Sequence, residues 1–487
     1  MPRGLRWVIL IAILLLMLTS LRQFESIPLL ESALVKLWWV SFYVRWVSLF
    51  VLGAAALTIA VWNRSLPRSL NRADAVILAF IILALLSSLY SIDPNISVLR
   101  GLSVLLMYGA VYWGIWVYAD EFGAAAVMRI LVAAVGIATS LHVVIALLDP
   151  NGSFPYLGRF TGWSLNPGTT GGVTTLLLPL ALWHALERPF RQHWALVGAM
   201  ILVLILSQTR TEIFAALAGS LYFLMRARPH RKLLVFFSGV AVLAASLAWI
   251  EIGPRMFPQG TPILRVLFPE KVTSIVTSVG VGDTEGAGPR SVDTEGVDTE
   301  GVDTEGTGPR GAGDMETAPE QWHTPRGEWY DRSNPRNNTI MTLSHRSGKW
   351  TQGALYFLER PLLGFGFGTE DQLFEAHGIR PALYKYTGAY IHNSYLGLVL
   401  QLGLVGAILV YLPLGLLVAR EFRVANRTPP NLMRTALMAV VLTGMVSALF
   451  SSDLYSMGNP KIASFWICVM LLNRCNHNPA PNSDVEG

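Results

Sequence analysis

The stretch that decides the fold is residues 391–419, IHNSYLGLVLQLGLVGAILVYLPLGLLVA. It contains no Asp, Glu, Lys or Arg along its whole length. The hydrocarbon core of a bilayer is about 30 Å thick and a helix rises about 1.5 Å per residue, so about 20 apolar residues cross it. The stretch is therefore predicted to be a membrane-spanning helix that begins beside the polar residues His392 and Asn393.

Apolar runs of this kind recur along the chain. Hydrophobic residues make up 52% of the sequence and charged residues only 14%, against about 25% charged in ordinary soluble domains. The mean hydropathy of +0.46 also excludes a soluble multi-domain protein. We predict an all-α polytopic membrane protein with about twelve transmembrane helices, at 7–21, 46–62, 75–92, 99–119, 126–148, 169–187, 194–209, 211–226, 232–251, 391–419, 433–452 and 460–473. The first is read as a retained signal anchor, because no good cleavage site follows it.

The positions of Lys and Arg predict the orientation of these spans, because cytoplasmic loops are enriched in both. With the N-terminus inside, the inner loops hold the clusters around Arg68, Arg188, Arg228 and Arg423, whereas the opposite loops 93–98 and 451–459 hold none. Both termini are therefore expected in the cytoplasm. The predicted organisation is an N-terminal transmembrane region of about nine helices at 1–251, an outer loop at 252–390, a C-terminal region of about three helices at 391–474 and a cytoplasmic tail at 475–487.

The outer loop divides into two parts of different composition. Residues 278–318 carry the pentapeptide Val-Asp-Thr-Glu-Gly at 292–296, 297–301 and 302–306. This part is predicted to be a disordered, inert insertion, since it has almost no apolar side chains to bury and lacks the ligand spacing of a calcium loop. Residues 340–390 are predicted to be structured, with an amphipathic helix at 349–358 that Pro361 ends. The following glycines indicate a tight loop at the membrane surface rather than a dinucleotide site.

Three polar groups in the outer part of the chain could carry chemistry. Arg210 lies between two apolar runs at the outer end of a span; it is either a phosphate ligand or an arginine that reaches the lipid headgroups. His392 lies where the outer loop re-enters the membrane, and it could exchange a proton or belong to a helix-capping cluster. Arg346, in Ser344–Trp350, lies on the same predicted side but could be a solvated loop residue.

Other functional classes find little support in the sequence. The net charge of +5 is distributed in short clusters between apolar runs and forms no patch for nucleic acid. The two cysteines, Cys468 and Cys475, lie outside the large loop and provide no disulfide framework for it. Outside the repeats, the outer part of the chain has no Asp-x-Asp site and no nucleotide-binding loop. We therefore expect no metal and no cofactor.

Taken together, the motifs resemble the O-antigen ligase/polymerase superfamily of bacterial membrane proteins. The motifs that carry the resemblance are Gly158–Pro167, Ser207–Thr211, Ser344–Arg346 with Trp350, Arg360–Gly366 and His392–Leu396 with Gly403 and Gly406. Their order and spacing over about 155–410 are more specific than any one of them. The sequence departs from the family pattern at His345, where a small residue is usual, and at Thr211-Glu212, where a Gly-rich stretch is usual. The repeat insertion has no counterpart in the family pattern, so the subfamily stays open.

The resemblance implies a GT-C-like architecture with a large periplasmic loop containing short helices, in the bacterial inner membrane. It also implies a glycosyltransferase that moves a glycan from an undecaprenyl-diphosphate carrier to an acceptor hydroxyl on a lipid or another glycan, without metal or nucleotide. Arg210 and Arg346 would hold the diphosphate and stabilise its developing charge, and His392 would orient or deprotonate the acceptor. Substrate binding is expected of Arg159, Asn393, Tyr395 and Arg360.

Two other functions stay open at this point. A repeat-unit polymerase would use the same chemistry, so the sequence does not separate it from a ligase. A membrane transporter is the alternative from another class, because relatives of this family have been described as bicarbonate transporters. Against transport, the two halves show no internal similarity, and ionisable residues near mid-membrane are sparse, with Arg129 and His142 the nearest.

Overall fold

The computed structural model of the protein describes residues 3–18, 28–148, 153–154, 159–162, 164, 167–227, 238–239, 242, 344–377, 391–457 and 459–477. The chain divides into two compact units, Met1–Thr261 with Arg332–Gly487 and, separately, Pro262–Asp331. All of the described residues belong to the first unit. The predicted disorder of 278–318 lies outside them, as does most of the predicted span at 232–251.

The regular structure of the described residues is helical. Fourteen α-helices are described, and α4 is joined to α5 by a π-helical turn at Gly109–Ile115. In chain order they are α1 (Arg3–Leu18), α2 (Pro28–Asn63), α3 (Arg72–Leu86), α4 (Pro94–Tyr108), α5 (Trp116–Phe122), α6 (Ala124–Leu148), α7 (Pro167–Glu187), α8 (Arg191–Ser207), α9 (Arg210–Ala227), α10 (Ser344–Glu359), α11 (Glu370–Ala376), α12 (Ser394–Arg427), α13 (Leu432–Ala448) and α14 (Pro460–His477).

Several of these helices are long and apolar enough to cross a bilayer. By length and composition, five described segments could cross a membrane: Tyr43–Asn63, Arg72–Leu89, Pro94–Phe122, Ala124–Leu148 and Ser394–Arg427. Gly4–Met17, Arg191–Ser207 and Leu432–Ala448 are apolar but shorter. The chain is thus a helical, polytopic membrane protein. The predicted count of twelve spans and the GT-C-like architecture stay predictions.

Contacts between helix ends bring several helix termini together at one end of the unit. At one end of the unit, which we call the basic end, Arg226 of α9 donates to the carbonyl of Thr428 after α12, at 2.8 Å. At the same end, Arg474 of α14 pairs with Asp120 of α5 at 2.6 Å, and the guanidinium of Arg6 in α1 lies 4.6 Å from the ring centre of Phe122. The first and last described helices therefore both have an end here. The cytoplasmic placement of this end remains a prediction from the charge bias.

Helix α12, predicted as one continuous span, is broken at Gly403. Gly403 has φ +61°, outside the helical region. The backbone groups that the break releases bond to the segment after α10. The N–H of Phe365 donates to the carbonyl of Leu400 at 2.9 Å, and the N–H of Leu404 donates to that of Pro361 at 2.9 Å. Backbone groups inside a membrane protein need internal partners, and the docked segment supplies them here.

The predicted tight loop of alternating glycines is this docked segment. A Cβ on Gly364, which has φ +68°, would lie 2.5 Å from the carbonyl oxygen of Leu400. Gly403 approaches the backbone of Leu362 equally closely. Only glycine permits both the backbone angles and the close approach. The segment therefore fixes α10 and α11 against the broken helix, and with them the polar residues at this end.

The amphipathic helix predicted at 349–358 is confirmed as part of α10. Gly353 packs against Ile391 and Leu400, and Trp350, Tyr356 and Phe357 pack on a small core of buried side chains. That core consists of Phe365, Leu373, Phe374, Ile391 and Leu400. Burial of these rings, at about 25 cal/mol per Å² of apolar surface, holds α10 beside the start of α12.

Candidate functional site

The end of the unit opposite the basic end collects the polar residues that the sequence singles out. We call it the Arg210 end; it comprises the turn between α8 and α9, the start of α12 and residues 451–457 between α13 and α14, the 451–457 loop. The 87–93 connection also lies here, since the N–H of Ile92 donates to the carbonyl of Phe365 at 3.1 Å. Residues separated by more than 200 positions in sequence thus share one end of the helices.

Arg210 is the first residue of α9, and a tight turn precedes it. Gln208 ends α8 in a left-handed conformation, and the hydroxyls of Ser207 and Thr209 lie 2.7 Å apart. Arg159 approaches the same turn from the α6–α7 connection, where its Nε donates to the carbonyl of Ser207 at 3.3 Å. Both guanidinium-bearing residues are half-buried. The structure therefore brings Arg159 to the turn that introduces Arg210.

A buried ion cluster includes Glu212, which lies two residues after Arg210 in α9. Nζ of Lys461 lies 2.8 Å from Oε1 of Glu212 and 3.1 Å from Oδ2 of Asp453, and it donates to the hydroxyl of Ser447 at 2.7 Å. Lys461 and Glu212 are each only 5% exposed. A buried charge is tolerated only with partners, so this cluster joins α9 to α13, α14 and the 451–457 loop.

The 451–457 loop connects this ion cluster to the start of α12. The hydroxyl of Ser451 donates to Asp453 at 2.5 Å, and the hydroxyl of Ser394 donates to the carbonyl of Ser451 at 2.5 Å. The N–H of Asn393 donates to the hydroxyl of Ser452 at 3.2 Å. A chain of side-chain contacts therefore runs from the helix of Arg210 to the residues next to His392.

His392 occupies an unusual backbone conformation at this point. Its φ is +52°, in the left-handed region, which non-glycine residues adopt uncommonly. Its side chain is exposed. Such strain persists only where the surroundings impose it, and it is concentrated at functional sites. The conformation holds the imidazole at the surface of the Arg210 end, where it could exchange a proton with a bound hydroxyl.

Asn393 and Tyr395, also predicted to bind substrate, have structural partners. The side chain of Asn393 caps α12 by accepting from the N–H of Leu396 at 3.0 Å. The hydroxyl of Tyr395 donates to the carbonyl of Met445 in α13 at 2.9 Å. The helix-capping alternative therefore describes Asn393, while His392, one residue earlier, remains exposed.

Arg346 lies in the first turn of α10, and Arg360 directly follows the helix. Arg346 lies one turn before Trp350 in this helix, and its side chain is outside the described residues. The indole N–H of Trp350 donates to the carbonyl of Ile391 at 3.0 Å, which places this part of α10 beside the His392 segment. Arg360 is exposed and donates to the carbonyl of Tyr90 at 3.3 Å, with its guanidinium 5.0 Å from the Phe365 ring centre.

The sequence reasoning missed Lys461, Asp453 and Glu370, a buried carboxyl of α11. A signal for Lys461 was present: it is a lone cation at the outer start of a predicted span, just after the loop 451–459 that holds no Lys or Arg. Asp453 and Glu370 carry no comparable local signal. Within the described ranges, no group of three or more His, Cys, Asp or Glu is placed to hold a metal ion.

One protein family matches part of the chain. Residues 195–411 fit the model of the family described as O-Antigen ligase. This match supports the O-antigen ligase/polymerase superfamily. The resemblance seen in the sequence motifs is thereby confirmed. The superfamily match runs from α8 into α12 and includes Arg210, Arg346, Arg360 and His392, while Arg159 and Lys461 lie outside it. No curated protein matches the chain.

The family match narrows the range of candidate functions. It supports an O-antigen ligase/polymerase type of activity in a multi-pass inner-membrane protein. Substrates of this class are lipid-linked glycans, and the surrounding lipids are necessarily partners.

Proposed function

We propose that this protein transfers a glycan from an undecaprenyl-diphosphate carrier to an acceptor hydroxyl at the periplasmic face of the inner membrane, as an O-antigen ligase does. The observation that carries the proposal is a chain of contacts from the helix that begins at Arg210 to the segment that follows His392: Glu212 to Lys461, Lys461 to Asp453, and Asp453 through Ser451 to Ser394. These contacts tie the two segments together at one end of the unit, which supports the proposal that Arg210 and His392 act on the same substrate.

The proposed reaction is a single displacement at the anomeric carbon. The acceptor oxygen forms a bond to that carbon while the bond from the carbon to the diphosphate oxygen breaks, and the electron pair leaves with the carrier diphosphate. The proton of the acceptor hydroxyl passes to the imidazole of His392. The leaving diphosphate gains negative charge, which Arg210 and Arg346 stabilise through charge-assisted hydrogen bonds. Arg159 and Arg360 assist in holding the donor.

The protonation of arginine and histidine favours assigning phosphate binding to Arg210 and proton transfer to His392. Arginine stays protonated at any pH of interest, so it can bind phosphate but cannot serve as a base. Histidine, with an ordinary pKa near 6.5, can accept a proton at neutral pH. The exposed position of His392 makes its imidazole reachable by an acceptor, whereas Lys461 is enclosed by its two carboxylate partners.

A deletion strain tests the proposed function. Mass spectrometry would compare its lipid-linked and surface glycans with those of the parent. Loss of a ligase should leave complete polymer on the carrier and remove it from the acceptor. Single repeats transferred to the acceptor would instead identify a polymerase of the same superfamily. Unchanged glycans in both pools would contradict glycan transfer, and a loss of solute uptake would then favour the transporter alternative.

A further inference from the structure

Glu370, the first residue of α11, is a buried carboxyl that the proposed reaction does not use. It is 2% exposed, and burial raises its pKa from the ordinary value to about 7. Carboxyls of this kind are rarely buried without a role or partners. The charged residues around it are Asp371, which raises its pKa further, and Lys349 of α10, whose own pKa is lowered by burial although the nearby carboxylates oppose that shift.

The four partners of Glu370 come from three parts of the chain: the segment before α12, α12 itself and the 451–457 loop. Its Oε1 accepts from the backbone N–H of Ile391 and from the hydroxyl of Ser452, the latter at 3.3 Å. Its Oε2 accepts from the amide of Gln401 at 3.3 Å and lies 3.5 Å from the hydroxyl of Tyr455. The Gln401 amide is itself oriented, because its oxygen accepts from the N–H of Gly368 at 2.7 Å.

Two of these contacts hold the residues on either side of His392 in the sequence. The N–H of the residue before it, Ile391, bonds to Glu370 directly. The N–H of the residue after it, Asn393, bonds to the hydroxyl of Ser452, which donates to the same carboxyl oxygen. The N–H groups of the residues before and after His392 are therefore both tied to Oε1 of Glu370, the first directly and the second through Ser452. This is the arrangement that could hold a non-glycine residue at φ +52° against its intrinsic preference.

We propose that Glu370 is a positioning residue for His392. It fixes the backbone on either side of the histidine, so that the imidazole points to the acceptor without rearrangement. The inference rests on the proposed function, in which His392 receives the acceptor proton. A positioning role differs from a general folding role because it affects turnover by each folded molecule, and misplacement of a reacting group by about 1 Å can cost about 100-fold in rate.

The test is glycan transfer in proteoliposomes with Glu370→Ala and Glu370→Gln, each normalised to the folded protein recovered by size exclusion. Glu370→Ala removes the acceptor for Ile391 and Ser452. We expect kcat to fall about 100-fold, with KM for the lipid-linked donor within about twofold of the wild type. Glu370→Gln keeps an amide oxygen for the Ile391 N–H and should restore kcat to within about fivefold. Glu375→Ala is the control, since Glu375 is exposed on the same helix.

Several outcomes would overturn the inference. A wild-type kcat in folded Glu370→Ala would do so, as would a Glu370→Gln variant no better than Glu370→Ala. If Glu370→Ala does not fold, Ser452→Ala cuts only the arm to Asn393 and should lower kcat about 10-fold; an unchanged kcat in that variant would contradict positioning. His392→Ala separates this inference from the proposed function. Full transfer by His392→Ala refutes the role of the histidine, whereas an inactive His392→Ala beside a fully active Glu370→Ala refutes positioning alone.

Discussion

Replacement of Lys461 by Met should destabilise the protein strongly. Lys461 neutralises Glu212, which is 5% exposed and whose Oε2 has no hydrogen-bond partner. Without the ammonium, Glu212 keeps only the Ser447 hydroxyl, at 2.9 Å. Removing one member of a buried ion pair costs about 3–5 kcal/mol, because the remaining charge has lost both water and partner. Asp453, with a side chain 24% exposed, is partly hydrated and should add little to that cost.

The assay is unfolding in mixed micelles by titration with dodecyl sulfate, followed by tryptophan fluorescence. Lys461→Met should lower the free energy of unfolding by about 3–5 kcal/mol. The double variant Lys461→Met/Glu212→Gln should recover most of the loss, since no unpaired charge remains on Glu212. Arg474→Met is the matched control: Arg474 pairs with Asp120 at 2.6 Å, but both are more exposed, so about 0–1 kcal/mol is expected.

Two results would refute this reasoning. One is a loss below about 1 kcal/mol for Lys461→Met, which would place the cluster in water rather than in the protein interior. The other is a double variant that is less stable than Lys461→Met alone. That result would mean that the Glu212 carboxylate stabilises the fold through something other than the lysine.

Three further predictions concern the break in α12, the buried carboxyl and the donor site. Gly403→Ala should lower the free energy of unfolding by about 1–3 kcal/mol in the same titration, because its φ is +61° and its Cβ would meet Leu362; Gly415→Ala, in the same helix with open space around it, should be neutral or stabilising. The pKa of Glu370 is raised to about 7, so its native state binds a proton more tightly than the unfolded state. The contribution of Glu370 to stability should therefore be complete below about pH 4.5 and be lost as pH rises through 7, by up to about 3 kcal/mol, so the Glu370→Gln variant should lack this part of the pH dependence. Arg159→Ala should raise KM for the lipid-linked donor about 10-fold with a smaller change in kcat, as steady-state transfer assays would show, and an unchanged KM would remove Arg159 from the donor site.

Local pattern was enough to predict much of the helical framework. The apolar run at 391–419, the amphipathic helix at 349–358 and the position of Arg210 between two apolar runs all follow from hydropathy, helical period or an interruption of an apolar run. Each of these signals is contained within a few turns of chain. The structure agrees with them because a bilayer leaves helices few alternatives.

The pairing of distant segments could not be predicted in this way. Nothing near Gly403 indicates that α12 breaks there, because the groups that satisfy the break belong to Pro361–Gly366. The Lys461–Glu212 pair joins residues 249 positions apart. The Glu370 contacts likewise depend on how α11 meets the 451–457 loop. Hydropathy marks which residues enter the membrane, but it does not record which charges meet once the helices pack.

For the candidate site, the sequence likewise predicts some of the residues but not the contacts between them. Arg210 and His392 were identified as chemically competent residue types at predicted span ends, whereas the contacts that relate them were not visible. Asn393 shows the converse: its amide is a suitable sugar ligand by type, but in the structure it caps α12. Residue type thus indicates the chemistry that a side chain could perform. Its hydrogen-bond partners, which only the structure shows, determine how the side chain is held.

The most direct test of glycan transfer at the Arg210 end is a four-variant comparison in proteoliposomes with a lipid-linked glycan donor. Arg210→Ala and His392→Ala should each lower transfer at least about 100-fold while remaining folded in the membrane. Arg226→Ala, at the other end of α9, and His377→Ala, in the same outer segment, should transfer normally. Full transfer by folded Arg210→Ala and His392→Ala would contradict the account.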